Sequence, residues 1–200
     1  RGLCLPPYVA PIQAVIIPVA AHKPGVTEKS REIYESLKNA GIRVKLDETD
    51  NSPGWKFNEY EMKGVPVRVE IGPKDIEKNQ CVVVTRHNRE KTFVSLDDIE
   101  TVILEKLEEV RQGLYDSALE NRERRTYVAK TLDDITKQLE EHGDGFVKAM
   151  WCGSEECEEK VKEITGVGSR CIPLEQENLS DTCVCCGKPA KTMVYWGKAY

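Results

Sequence analysis

Residues 65–71 read VPVRVEI. In an extended chain this alternation places four apolar side chains on one face and Pro66, Arg68 and Glu70 on the other. The segment is therefore predicted to be a β-strand whose apolar face is buried and whose other face is open. Because proline cannot donate to a sheet, Pro66 favours the start of a strand or an edge strand over a strand centre.

The segments around this strand predict a sheet. Residues 14–19 form a continuous apolar run, which is typical of a strand covered on both faces. Residues 42–46 alternate and predict the next strand. Residues 81–85 and 91–94 predict a hairpin, whose two strands indicate that some of the pairing is antiparallel.

Helices are predicted between these strands. One begins near Gly25, and a second begins at Ser95, whose hydroxyl is a good helix cap, and continues to about Arg125. Strands that alternate with helices predict an α/β domain with a mixed sheet flanked by helices.

After residue 127 the pattern changes. A capped helix is expected after Thr131, a strand over residues 146–151, a break over residues 166–170 and a last apolar segment over residues 193–196. We therefore place a domain boundary near residues 125–130.

Composition excludes several classes of protein. The chain has 200 residues, of which 40% are hydrophobic and 32% charged, so we expect a soluble globular protein, neither membrane-embedded nor disordered. The longest apolar run, residues 14–19, is far below the ~20 residues that span a bilayer. Residues 1–7 lack the apolar stretch of a secretory signal.

The cysteines point to a metal site. There are eight, and six of them lie after residue 150, which favours a metal centre in a reducing compartment over a secreted disulfide scaffold. They are Cys4, Cys81, Cys152, Cys157, Cys171, Cys183, Cys185 and Cys186.

Four of these cysteines have the spacing of zinc ligands. Cys152-x4-Cys157 and Cys183-x2-Cys186 are two pairs of the kind that supply the corners of a tetrahedral thiolate site. Four protein ligands leave no open coordination position, so the spacing predicts structural Zn²⁺. Cys171 and Cys185 are rival ligands. Incidental buried thiols and a redox-active pair are the alternatives.

A local basic segment contrasts with the acidic chain. The net charge is −5, whereas residues 63–91 carry seven basic and four acidic side chains. Such a surface can bind unstacked bases, because carboxylates accept from guanine N–H groups and arginine or lysine donates to acceptors and phosphates. The alternative is a solvated strand face. His22, His87 and His142 are scattered, and the sequence contains no phosphate-binding loop or nucleophile elbow.

Residues 54–75, GWKFNEYEMKGVPVRVEIGPKD, resemble the anticodon-binding domain of prolyl-tRNA synthetase. The form that they resemble is the archaeal and eukaryotic-like one, which also occurs in some bacteria. Residues 1–13 are similar to the junction that follows the catalytic domain of that enzyme. The four paired cysteines and Tyr200 resemble its C-terminal zinc-binding domain. The resemblance covers essentially the whole chain in the right order.

The resemblance implies a fold and a set of site residues. It implies a mixed-sheet α/β class IIa anticodon-binding domain over residues 1–126, followed by a smaller α+β zinc-binding domain over residues 127–200. The anticodon-reading positions of the family fall on Glu61, Arg68, Lys74, Asp75 and Lys91. The hairpin of this chain is one residue longer than that of the family it resembles, so Arg89 is an alternative to Lys91. Tyr200 is implied to be an accessory to the distant active site.

The resemblance also implies a function. The parent enzyme would be a cytoplasmic homodimer that ligates proline to tRNA(Pro), using ATP and Mg²⁺ in a catalytic domain that these residues do not include. This chain would select tRNA(Pro), would have no membrane partner and would not activate proline by itself. Alternatives are a stand-alone, non-catalytic RNA-binding protein and the anticodon domain of a sister synthetase. The start at Arg1, without methionine, favours a piece of a longer protein.

Overall fold

The computed structural model describes residues 2–199 and contains two mixed sheets. The chain divides into two compact units, one ending at Ser117 and the other beginning at Ala118. Because such a division does not show where an independently folding domain ends, the predicted boundary between residues 126 and 127 stays a prediction. Tyr200 lies outside the described residues.

The first unit has a five-stranded sheet in the order β2-β1-β3-β4-β5. Strands β2, β1 and β3 are parallel, whereas β4 and β5 are antiparallel to their neighbours. The predicted α/β fold with a mixed sheet is confirmed. In chain order the elements are β1 (Ala14–Pro18), α1 (Val26–Asn39), β2 (Val44–Leu46), α2 (Pro53–Met62), β3 (Val67–Ile71), α3 (Pro73–Glu77), β4 (Gln80–Thr85), β5 (Lys91–Ser95), a 3₁₀ turn (Leu96–Asp98) and α4 (Ile99–Arg124), whose last residues, 118–124, belong to the second unit.

One face of this sheet forms the main core. Helices α1 and α4 contribute apolar side chains such as Leu37 and Ile103, which pack with Val67 and Val69 of β3. Strand β3 is central, and Pro66 lies just before its first residue, so the proline costs the sheet no hydrogen bond. Ser95 caps the 3₁₀ turn that leads into α4, since its hydroxyl accepts from the amide of Asp97.

The other face of the sheet is only partly covered. Helix α2 packs on the β1 side, where Tyr60 meets Val15 and Ile17. Towards β4 and β5 the same face carries Arg68 and other polar or exposed side chains. The alternation of β3 therefore places Arg68 and Glu70 on the face opposite the main core, as predicted from residues 65–71. The prediction that this strand face is open is wrong, since Pro66 is buried and the side chains of Arg68 and Glu70 are only 12% and 13% exposed.

The second unit has a four-stranded sheet in the order β6-β7-β9-β8. Thr131 caps α5 as predicted, because its hydroxyl accepts from the amide of Asp134. The prediction of a break over residues 166–170 is wrong, since residues 167–171 form an edge strand paired with β9. The elements are β6 (Thr126–Val128), α5 (Leu132–His142), β7 (Phe146–Trp151), α6 (Glu155–Thr165), β8 (Val167–Cys171) and β9 (Thr192–Lys198).

Among residues 2–199, no helix combines the length and the apolar character that crossing a membrane requires.

Candidate nucleic-acid interface and candidate metal centre

Helix α2 carries two neighbouring stripes of side chains with different tasks. Lys56 and Tyr60, four residues apart, are both buried under the helix. Phe57 and Glu61, one position further on, are half-buried and lie beside Arg68. Because side chains four residues apart share a helix face, one stripe anchors the helix while the next faces the candidate interface.

The anchor is a buried polar network around Asp47. The Nζ atom of Lys56 lies 3.3 Å from Asp47 Oδ1 and donates to the Asp47 carbonyl oxygen at 2.9 Å, and both side chains are 3% exposed. The amide and hydroxyl of Thr49 donate to Asp47 Oδ1 at 2.9 and 2.6 Å. Burial opposes the charge of Asp47, but hydrogen bonds from Thr49 and Tyr60 and the ammonium of Lys56 outweigh it and lower the pKa of Asp47. Burial and the bond to Asp47 raise the pKa of Tyr60.

Arg68 is the centre of a polar group on the sheet face opposite the main core, and its side chain is 12% exposed. Its Nε and Nη2 atoms both lie 2.9 Å from Glu70 Oε1, and Nη1 lies 3.3 Å from Glu61 Oε1. The guanidinium carbon lies 4.1 Å from the centre of the Phe57 ring, a cation–π distance. The guanidinium is therefore positioned by two carboxylates and one aromatic ring.

Both basic residues proposed for the hairpin reach this group. Arg89 Nη2 lies 3.6 Å from Glu61 Oε2, and Lys91 Nζ lies 3.9 Å from Glu70 Oε2. Each of the two side chains is 60% exposed. Arg89 and Lys91, the two alternatives for the basic residue of the hairpin, therefore each lie near a carboxylate that contacts Arg68. We call Glu61, Arg68, Glu70, Arg89 and Lys91 the Arg68 cluster.

The Arg68 cluster retains capacity to bind a base. Glu61 is 30% exposed, and its contacts at 3.3 and 3.6 Å are long, so its oxygens can still accept from N–H donors. Arg68 engages three of the five N–H groups of a guanidinium in the contacts above. An acceptor beside a fixed donor is complementary to the edge of a guanine, which offers both N–H groups and acceptor atoms.

Lys74 and Asp75 lie on α3, beyond the end of β3. Asp75 Oδ2 accepts from the Gly72 amide at 2.9 Å and so caps α3, while Lys74 is exposed. Within residues 2–199, no hydrogen bond or ion pair joins either residue to the Arg68 cluster. The three steps of β3 from Arg68 to Ile71 cover about 10 Å, so α3 offers a second contact region.

Two residues of this surface, Glu70 and Phe57, were not among the predicted site residues. Glu70 orients Arg68, and Phe57 stacks against it. The alternation of residues 65–71 already placed Glu70 on the face of Arg68, so pairing of the two was readable from the pattern. The position of Phe57 depends on helix α2, which the pattern did not indicate.

In the second unit the structure brings the four predicted cysteines together. The sulfur atoms of Cys152, Cys157, Cys183 and Cys186 all lie within 4.8 Å of one another, and those of Cys152 and Cys186 are 3.8 Å apart. Zn–S bonds of ~2.3 Å in a tetrahedron separate the sulfurs by about 3.8 Å. The donor set and its dimensions therefore fit a tetrahedral metal ion.

Local structure explains why these cysteines converge. Cys152 follows β7, and Cys157 lies in the first turn of α6. Cys183 and Cys186 flank a tight turn, in which the Gly187 amide donates to the Cys183 carbonyl at 3.0 Å and Gly187 adopts a φ of 69°. This left-handed conformation is natural for glycine, which explains the glycine after the second pair.

The two rival cysteines lie outside the four-sulfur group. Cys171 is exposed on β8, and Cys185 packs partly buried against the apolar side chains of the second unit. All eight cysteines are free thiols. A hydrogen bond from the Lys188 amide lowers the pKa of Cys186 to about 7, whereas burial raises the pKa of Cys157. Metal binding requires the thiolate form, which the lowered pKa of Cys186 favours.

Two family models match separate parts of the chain. Residues 13–106 match the family model of the anticodon binding domain, and residues 132–200 match that of the prolyl-tRNA synthetase C-terminal region. Among curated relatives, the proline–tRNA ligase of Ruminiclostridium cellulolyticum is 60% identical over 199 residues. Those of Clostridium botulinum (strain Loch Maree) and Clostridium novyi are each 57% identical over 199 residues.

In each of these comparisons the match covers 100% of this chain and 41% of the relative, so the chain spans about two fifths of the length of the curated relatives it matches. Both family models and the relatives agree with the resemblance found in the sequence. Together they show that the chain is similar to an anticodon-binding domain followed by a prolyl-tRNA synthetase C-terminal region.

Proposed function

We propose that the first unit binds the anticodon of tRNA(Pro), with Glu61 and Arg68 reading a guanine. The observation that carries this proposal is the carboxylate of Glu61, 30% exposed, beside an Arg68 guanidinium that is 12% exposed and is held by Glu70 and Phe57. An acceptor and a donor at fixed separation distinguish guanine from bases with other edge patterns.

The remaining predicted residues have supporting roles in this proposal. Lys91 and Arg89 are exposed at the rim of the Arg68 cluster and bind phosphate or a base acceptor. Lys74 and Asp75 contact a neighbouring nucleotide from α3, because the free oxygen of Asp75 can still accept from a base.

For the longer protein we propose proline–tRNA ligase activity. It would form a prolyl-adenylate from proline and ATP with Mg²⁺ and transfer the prolyl group to tRNA(Pro), as a cytoplasmic homodimer. The names of the relatives support this over a stand-alone RNA-binding protein. Assignment to the archaeal and eukaryotic-like form is also a proposal, and it rests on the motif of residues 54–75.

For the second unit we propose a structural zinc site. Cys152, Cys157, Cys183 and Cys186 would hold one Zn²⁺ through four thiolates. When bound, the ion would cross-link the end of β7, the start of α6 and the turn before β9. Four protein ligands would leave no position for a reacting molecule, so the ion would support the fold.

Binding to anticodon stem-loops tests the proposed anticodon recognition. We expect Arg68→Ala to weaken binding of the tRNA(Pro) stem-loop by ~1–3 kcal/mol and to relax discrimination at one guanine. Glu61→Gln keeps the size of the side chain but replaces a charged acceptor by an amide, so it should lose guanine preference with little change in stability. The measurement is the affinity of the 200-residue chain for loops in which each guanine is changed in turn.

Arg111→Ala is the matched control for the loss of one positive charge. Arg111 is 50% exposed on α4 and pairs with Glu108, away from the sheet face that carries Arg68. We expect this variant to bind within about 0.5 kcal/mol of the wild type, since exposed pairs of this kind contribute little. Equal affinity of the wild-type chain for native and guanine-substituted loops would contradict guanine reading.

The accessory role of Tyr200 remains a separate proposal. Deleting this residue from the full-length protein should lower aminoacylation without lowering tRNA binding. Steady-state aminoacylation and stem-loop affinity, measured on the same preparation, check it. Unchanged turnover would remove the proposal.

A further inference from the structure

Phe93 occupies an unusual position on β5. Its side chain is 68% exposed, although it lies within a strand of a well-formed sheet. Phe93 is opposite Val82 of β4, and Val82 is opposite Glu70 of β3. Opposite residues of antiparallel strands point to the same face, so the ring lies on the sheet face that carries the Arg68 cluster.

The ring is close to the Arg68 cluster and is not covered by the helix on that face. Two strand spacings separate Phe93 from Glu70, or about 10 Å. Helix α2 packs over Val15 and Ile17 of β1, on the other side of β3. The same sheet face therefore continues from Arg68, across the buried Val84 and the half-buried Val82 of β4, to the exposed Phe93 ring.

The surroundings of the ring are polar and basic. Lys91, two residues earlier on the same face, is 60% exposed. On the other side, Phe93 lines a shallow hollow with Lys78, Asn79 and Gln80. A single exposed aromatic ring between two lysines suits a nucleotide, whose base stacks on the ring while its phosphates meet the cations. The apolar neighbours of the ring, Val82 and Val94, are half-buried and buried, so the exposed apolar surface here is mainly the ring itself.

We propose that Phe93 is a stacking platform for one base of the anticodon loop, next to the base that Glu61 and Arg68 read. This inference rests on the proposed anticodon recognition and adds a residue to it. Stacking uses the face of a base and not its edge. Phe93 therefore contributes affinity and positions the loop, whereas Arg68 and Glu61 select the base.

An abasic scan of the tRNA(Pro) stem-loop tests this role. We expect Phe93→Ala to weaken binding roughly 5- to 150-fold, as loss of one stacked base does, and Phe93→Tyr to bind like the wild type. Removing the base at one loop position should weaken the wild type by a similar factor and should leave Phe93→Ala unchanged. This non-additivity identifies the stacked nucleotide.

Leu104→Ala is the matched control, because Leu104 is 51% exposed on α4, the helix that packs on the opposite face of the sheet. It should bind as the wild type does. Wild-type affinity of Phe93→Ala, or an equal additional loss at every abasic position, would overturn the inference. If Arg68→Ala weakens binding and Phe93→Ala does not, only the platform is wrong. If the wild-type chain does not bind the stem-loop, the proposed anticodon recognition fails as well.

Discussion

Replacing Cys186 by serine is expected to abolish stoichiometric zinc binding and to loosen the second unit. The four sulfurs lie within 4.8 Å of one another, and they come from three separate segments of the chain. Zinc binding by comparable small sites contributes ~10–16 kcal/mol at neutral pH, so losing one thiolate removes a large part of the stability. Elemental analysis gives the zinc content, and hydrogen exchange compares β7 and β9 with β1 and β3.

Two other cysteines provide matched controls. Cys171→Ser changes an exposed thiol outside the four-sulfur group, and Cys185→Ser changes the nearest rival. Both should retain one zinc per chain and normal exchange in β7 and β9. If Cys185→Ser lost zinc and Cys186→Ser retained it, Cys185 and not Cys186 would be the fourth ligand. Metal-replete wild-type protein without zinc would reject the site, and loosening of β1 and β3 in Cys186→Ser would contradict a local effect.

The fold was predictable where an element buries an apolar face. The alternation of residues 65–71 and the stripe of α4 follow directly from burial against the main core. Helix α2 was not predicted, because its buried residues are Lys56 and Tyr60 and so leave no apolar stripe. In the structure the helix begins at Pro53, and the Ser52 hydroxyl caps it by accepting from the Trp55 amide.

Short edge elements escaped prediction for a related reason. In β8 only Val167 is buried, and Gly168 follows it, so the segment shows no alternation. Gly166 does end a helix, with a φ of 72°, but the chain then pairs with β9 instead of forming a loop. Pairing with a neighbouring strand is a tertiary event that a single sequence segment does not record.

The candidate sites differ in how far spacing alone could indicate them. A zinc site of four thiolates is indicated by the intervals between cysteines along the chain, and the two cysteine pairs have those intervals. The Arg68 cluster depends on three elements, α2, β3 and the hairpin, and spacing along the chain does not reveal their contacts. A family motif supplied that information for Glu61 and Arg68. It supplied nothing for Phe93, whose position became visible only from the register of β4 and β5.

Replacing Lys56 by methionine is expected to destabilise the first unit by ~3–5 kcal/mol at pH 7, because it leaves the carboxylate of Asp47 buried without its cation. Lys56 and Asp47 are both 3% exposed and 3.3 Å apart. Helix α2 should loosen, and stem-loop affinity should fall because Phe57 and Glu61 lie on that helix. Urea unfolding followed by hydrogen exchange in the first unit measures the loss. Lys63→Met is the control, since Lys63 is 51% exposed and its pair with Glu59 contributes little.

The pH dependence of this variant separates a charge effect from a packing effect. In the wild type the lowered pKa of Asp47 gives stability above the unfolded pKa of about 3.9, and this stability is lost as the pH falls through the folded pKa. Without Lys56 the buried carboxylate protonates more readily. The deficit of Lys56→Met should therefore shrink on acidification, and adding Asp47→Asn should recover part of it at pH 7. A deficit independent of pH, or equal to that of Lys63→Met, would show that the buried charge pair does not hold helix α2 on the sheet.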